Sequence, residues 1–490
     1  MRTLTEQTQE LVQAEWNSLL ATMDYWVSAV DEWDGDPPLP ASVRELVRDA
    51  HYFAHRYKEI FDSIAGDGEV VKILHDEKTD VWTVQHQARE ALLSEWDTVR
   101  QAVEQHLSRR YAEHLPRLEQ MAAESIAPLF PELAGEAIVY FHKVFDITRF
   151  AFSRMPVIGV PFSALDLPDS WLSIPHEAGH YVFWNGTPSL TEFAAFYAEM
   201  ERRVIRALTK AFKKREAQGG HFKRSGEIYR TWLLWMNEIF ADIYGTLVAG
   251  PASGWAIQRI LRTRLNQGDL YHSHEDPDHP DAYIRPFVHI ATLTAMAEAS
   301  DGDFREALLE AAKALGEAWR ASWSDENLER TLFTPDNWGS MQEVLEIDLP
   351  LVVRAILDTR LPGGISLRTR FSDGAFYTFD RHQWISSVVE SLPHLPSGET
   401  VQVGSPLDMS IIVQLAIVAG VDHSRVQGNF DYQPNEPERA DRDRWFEEFL
   451  ANATGSGERD VQLRAWRRII RSTASEVAYG GLHHGHSHNH

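Results

Sequence analysis

The 490-residue chain contains no cysteine, which excludes a disulfide framework, an iron–sulfur cluster and a thiolate zinc site. Any metal it binds must be held by His, Asp and Glu. No stretch approaches about 18 consecutive apolar residues, so none reads as a transmembrane helix and no membrane partner is expected. The opening residues, MRTLTEQTQELVQAEW, are polar and amphipathic, without the apolar run and small-residue cleavage site of a signal peptide. Basic residues are scarce: 47 against 72 acidic ones give a formal net charge of −25. Such a surface repels phosphate backbones, so nucleic acid is not an expected partner. These absences predict a soluble, cytoplasmic protein. No internal repeat of fixed period is visible either.

What is present is the composition of a folded globular protein, with 43% hydrophobic and 24% charged residues, 16 Trp and 23 Phe. The fold class reads as mainly α with a small β element. Residues 1–130 read as a helical N-terminal domain, with apolar positions recurring at helical spacing in EQTQELVQAEWNSLLATMDYWVSAVDEW, SVRELVRDAHYFAHRYKEIFDSIA and a run from Val81 to Met121. MPVIGVPFSA (155–164) reads as a strand bounded by prolines. Helices are expected near 191–216 and over 227–249, the second ended by Gly250-Pro251. Residues 301–460 read as a mainly helical C-terminal domain. Within it, ISLRTRFSDGAFYTFD alternates Ile365, Leu367, Thr369 and Phe371 and turns at Asp373-Gly374, which predicts a β-hairpin, and ETVQVG is a possible further strand. ANATGSGERD (451–460) reads as a loop before a final basic helix, and 461–490 completes the chain with that helix and a His-rich tail.

The chemistry concentrates in SIPHEAGHYVFWNG (173–186). In a helix, residues four apart share a face, so His176 and His180 can aim their imidazoles at one ion. Glu177 projects close to where a water on that ion would sit, the H-E-x-x-H arrangement of two neutral nitrogens for Zn²⁺ and a carboxylate to take a proton. Pro175 cannot donate a helical hydrogen bond, so the helix must begin or kink there. Gly179 permits close approach of another backbone, and Asn185-Gly186 supplies a helix stop. A catalytic zinc needs a third ligand and an open fourth position. In IYRTWLLWMNEIFADIYGTLVAG, Glu238 and Asp242 again lie four apart, in an apolar surround where carboxylates are costly unless paired or bound to metal. Glu238 is the expected third ligand. Asp242 is expected to accept from, and so orient, a ligand histidine, His176 in the first place.

HEAGH followed, 58 positions after His180, by Glu238 of NEIFAD resembles the gluzincin metallopeptidases, whose pattern is H-E-x-x-H with a later E-x-x-x-D. The E-x-x-A-D form and the long spacing look most like the neprilysin branch. The thermolysin branch has a shorter gap, and helix-rich oligopeptidases share the H-E-x-G-H form. The resemblance covers about 150 of the 490 residues, at clan level. It implies a zincin-like catalytic core, placed over 131–300, between the helical N- and C-terminal units. HPDAYIRPF, with Arg285 six residues after His279, is similar to the late His and Arg of the neprilysin-like site. By that resemblance His279 donates to the oxyanion and Arg285 holds a peptide carbonyl or carboxylate, with Tyr283 as an alternative hydroxyl donor. The sequence departs from the pattern at Pro277, where an aspartate is expected, although Asp276 and Asp278 flank it. The strand before the zinc helix sits where gluzincins have the sheet edge that binds peptide as an added strand.

The expected function is therefore that of a zinc-dependent peptidase acting on a peptide or protein. The competing reading is a non-catalytic helical interaction or metal-handling protein with a closed, structural zinc site. His51, His55 and Glu59 share one helical face, but no partner segment is visible for them, and they read as packed or surface residues. The tail GGLHHGHSHNH holds five histidines in its last eight residues, suited to buffering metal or to an expression tag. Oligomeric state and substrate sequence are not legible.

Overall fold

The structure, a computed structural model, describes residues 4–66, 81–133, 136–148, 150, 153, 155–165, 167–185, 190–219, 226–264, 279–322, 341–361, 364–394, 401–421 and 430–431. The 451–460 loop, the final basic helix, the His-rich tail and residues 276–278 lie outside these. The protein is mainly α-helical with a small sheet. No helix among the described residues is long and apolar enough to cross a membrane.

Two compact units emerge, and they differ from the four segments expected from sequence. The first comprises the described residues up to Leu115 and a short stretch around 150–155. It is built on α1 (Leu4–Asp31), α2 (Ala41–Gly66) and α3 (Val81–His106), which pack on one another. Their apolar stripes meet in a core that includes Trp16, Leu46 and Trp96. The second unit starts at Pro116, so α4 (Leu115–Ile126) belongs almost entirely to it rather than to the N-terminal unit. It also joins the segments expected to be separate on either side of residue 300.

The second unit holds a three-stranded sheet of β1 (Ile138–His142), β2 (Asp146–Thr148) and β3 (Val157–Pro161), in the order β1-β3-β2. β3 pairs parallel with β1 and antiparallel with β2. All of β3 is buried, as expected of an apolar run flanked on both sides. The strand expected to form the sheet edge is thus the central one, and β2 takes the edge beside the next helix, α5 (Ile174–Asn185).

Then follow α6 (Leu190–Ala217), α7 (Gly226–Leu234), α8 (Met236–Ala249) and α9 (Pro251–Arg264). The single helix expected over 227–249 is interrupted by a turn at Trp235. α8 is buried on all faces, with Asn237 its one half-buried residue, which its nearly continuous apolar sequence permits. It ends where expected: Gly250 takes a left-handed φ of 58° and Pro251 starts α9. α10 (Arg285–Glu298) packs against α8, and α11 (Gly302–Ala321) against α10. A π-helical stretch, Val344–Asp348, leads into α12 (Leu349–Leu357).

The expected hairpin over 365–378 is not formed. Leu367–Ser372 is a helix, α13, capped by the Ser366 hydroxyl, which accepts from the Thr369 amide at 3.2 Å. Leu367 and Phe371, read as same-face strand positions, are four apart and form the buried side of this helix. Gly374, with φ of 77°, closes the helix rather than a hairpin. α14 (Phe379–Ser391), β4 (Val401–Gln402), α15 (Pro406–Val418) and β5 (Phe430–Asp431) complete the described chain. The strand read from ETVQVG is present as β4, parallel to β5.

Candidate metal centre

α5 begins at Ile174, so Pro175 falls in its first turn, where the missing N–H costs no intrahelical bond. The helix therefore starts at the histidines instead of kinking through them. Glu177 also lies in that first turn, where the amide ends favour a carboxylate. α5 and α8 come into backbone contact because of small residues. A Cβ on Gly179 would lie 2.7 Å from the Cα of Ala241 and 3.0 Å from its carbonyl oxygen. One turn further along α8, a Cβ on Gly245 would come within 3.5 Å of the His176 amide nitrogen. This close approach sets the α8 carboxylates opposite the α5 imidazoles.

Three donor groups converge at this crossing. Nε2 of His176 and Nε2 of His180 are 3.1 Å apart. Glu238 Oε1 lies 3.2 Å from Nε2 of His180, and Oε2 lies 3.5 Å from Nε2 of His176. Zinc–nitrogen and zinc–oxygen bonds of about 2.0–2.2 Å in a tetrahedron put neighbouring donors about 3.3–3.6 Å apart. The observed edges lie within about 0.2 Å of that range, two of them just below it, and two imidazoles with one carboxylate are a suitable donor set for zinc. Among the described residues the set holds three protein donors.

Each donor is held from behind. His176 Nδ1 donates to Asp242 Oδ1 at 2.9 Å, and His180 Nδ1 donates to Asn237 Oδ1 at 3.1 Å. With their Nδ1 protons so engaged, both rings turn Nε2 toward the shared point. The indole of Trp184 stacks on His180 at 5.5 Å and 19°. Asp242 is fixed in turn by Arg285, whose Nε and Nη2 donate to its two oxygens at 3.0 and 2.7 Å. His289, one turn along α10, lies with Nε2 3.6 Å from Asp242 Oδ1 and Nδ1 2.7 Å from the Thr246 hydroxyl.

The electrostatics follow from this packing. Burial alone would raise Glu238, but its electrostatic interaction with His180 and hydrogen bonds from His176, His180 and His279 hold it well below the usual carboxylate range. Burial likewise opposes charge on Asp242, and Arg285 with His176 and His289 outweighs it. Burial disfavours a proton on His176, yet hydrogen bonds to Asp242 and Glu238 raise the imidazole to about 9. Glu177 differs: burial pushes it upward against the pull of His176 and His180, with Glu238 and Asp146 adding to the rise. No described residue hydrogen-bonds its carboxylate.

The structure thus brings His176, His180, Glu238, Asp242 and Glu177 together. His279 joins them, but with Nε2 3.2 Å from Glu238 Oε1, so it faces a donor oxygen rather than standing apart as an oxyanion donor. Arg285 is committed to Asp242, with its Nη2 also 3.5 Å from Glu238 Oε2, which departs from the substrate-orienting role expected of it. Tyr283 is a core aromatic, its ring 5.6 Å from Phe287 and 6.0 Å from Trp319. Sequence reading missed His289, Trp184 and the orienting role of Asn237. Only Asn237 carried a signal, as the polar neighbour of Glu238 in an apolar helix. Asp146, on edge strand β2, was also missed; it pairs with His142 at 3.2 Å and adds to the negative field at Glu177. Comparison of the chain with protein-family models, with curated proteins and with solved structures finds no match.

Proposed function

We propose that the protein is a zinc-dependent metallopeptidase. The observation that carries this reading is the near-tetrahedral spacing of His176, His180 and Glu238, with Glu177 beside them in a different electrostatic state. His176, His180 and Glu238 would hold the ion, which when bound supplies Lewis acidity for attack of water on a carbonyl. Glu177 performs the proton transfers. Its carboxylate is free of hydrogen bonds from described residues, and burial moves it toward the pH of operation, as a base that becomes an acid requires. It takes a proton from the attacking water and returns it to the leaving amine. Asp242 and Asn237 keep the Nδ1 protons of the two histidines engaged, and Arg285 keeps Asp242 charged and in place. His279, 40% exposed, lies beside Glu238 with Nε2 3.2 Å from its Oε1.

A peptide substrate is favoured by edge strand β2. Its outer side is unpaired among the described strands, and it packs beside α5, where an extended chain can add by backbone hydrogen bonds. The structural-zinc alternative calls for a closed four-ligand site and no cleavage of any peptide. The test is a peptide-library digest by the full chain, read by mass spectrometry with and without chelator. Cleavage abolished by chelator and restored by zinc is the expected outcome. Cleavage unaffected by chelator, or none of any peptide by zinc-loaded protein, removes the proposal.

A further inference from the structure

A second histidine pair of the same spacing lies in the first unit. His51 and His55, one turn apart on α2, both aim Nε2 at one oxygen of Asp24 on α1, at 2.6 and 3.4 Å. Their rings lean together with centroids 4.5 Å apart. Glu59, the acid that shares their helical face, is engaged by Arg56 at 2.6 Å instead. The partner segment invisible in the sequence is therefore α1, and the donor atoms of Asp24, His51 and His55 all lie within 4.8 Å of one another.

We propose that Asp24, His51 and His55 form a second metal site, which binds a divalent transition-metal ion of the zinc class across α1 and α2. Two imidazole nitrogens and one carboxylate suit zinc, copper(II) or nickel, whereas magnesium and calcium take oxygen donors. The hydrogen bond from His51, against the opposing effect of burial and with help from His55, pulls the Asp24 carboxyl below its usual value. To ligate, each Nε2 must surrender its proton, and Nδ1, which on neither ring is hydrogen-bonded to a described residue, can carry it. The 2.6 Å separation of Asp24 and His51 is that of a hydrogen bond, shorter than the roughly 3.3 Å donor spacing around zinc, so Asp24 must swing back slightly. At 57% exposure it has room to do so. With His51 and His55 at 28% and 41%, one side of the ion would face solvent. The ligands come from positions 27 and 31 residues apart, so an ion there would also tie α1 to α2.

Anomalous diffraction at the zinc edge, from crystals of the full chain soaked in zinc chloride, locates each ion independently of the histidine tail. The expected result is a peak about 2.0–2.2 Å from the Asp24 carboxylate and from Nε2 of both histidines. In solution, zinc titration of the His51→Ala/His55→Ala variant should saturate at one equivalent fewer than wild type, since the tail contributes equally to both. No peak at Asp24 under conditions that fill the His176 centre, or equal stoichiometry in the two proteins, overturns the proposal. Either result leaves the peptidase reading standing, because that rests on the other unit.

Discussion

The two histidine pairs of this protein make a controlled contrast. Both place His-x-x-x-His on one helix and a carboxylate on another, and both bring the donor atoms within 4.8 Å of one another. At His176 and His180 the side chains are 15% and 8% exposed, and each ring is held from behind by Asp242 or Asn237. At His51 and His55 the side chains are 28% and 41% exposed, and the hydrogen-bond partner they share is Asp24. Spacing alone therefore creates a possible ligand set, and helices supply it cheaply. Burial, oriented tautomers and a separate carboxylate whose pKa moves the other way distinguish a centre suited to catalysis.

The largest effect is expected from Glu238→Ala, which removes one of three donors and the carboxylate that faces His176, His180, His279 and Arg285. Zinc affinity should fall by more than about 100-fold, beyond the range typical of losing an orienting partner, as read by competition with a chromophoric chelator. The pH dependence of the metal-free protein comes next. The folded His176 is raised from 6.5 to about 9, so its contribution to stability is complete below about pH 6.5 and is lost as pH rises through 9. Thermal melts in chelator should show a decline of up to roughly 3 kcal/mol across that window. Bound zinc displaces the same proton, so its affinity should rise with pH over the window and the decline should vanish in loaded protein.

Asp242→Asn should weaken zinc binding by about 10–100-fold without removing a donor, because the acceptor that orients His176 loses its charge and with it the ion pair to Arg285 that holds it in place. Gly179→Val forces side-chain atoms against the Ala241 backbone and should cost roughly 1–3 kcal/mol in denaturant unfolding, with weakened metal binding as α5 and α8 part. The smallest effect belongs to the surface pair. Asp24→Asn in metal-free protein should change stability by no more than about 1 kcal/mol, as for other exposed ion pairs. A loss as large as that at Gly179 would show that exposure does not separate the two clusters.

The legible parts of the site are those fixed by helical spacing within one segment: His176 with His180, and Glu238 with Asp242. Gly179 was legible as a close approach because no other role suits a glycine inside that helix. The partners supplied by distant segments were not. Asp24 opposite His51 and His289 behind Asp242 depend on how helices pack, which leaves no mark at either position. The hairpin reading over 365–378 failed because Leu367 and Phe371, four residues apart, satisfy a strand period and a helix period equally. The Ser366 cap and Gly374 stop decided for the helix. The strand at 157–161 was legible from its apolar run, but its central place in the sheet was set by β1 and β2, whose short sequences carry little pattern.

Zinc content and peptide turnover measured together on Glu177→Gln, with the best peptide from the library digest, test the central claim most directly. Retained zinc at wild-type stoichiometry with turnover reduced by about 10²–10⁴-fold is the expected result. Wild-type turnover by that variant would contradict the account, since no proton would then pass through Glu177.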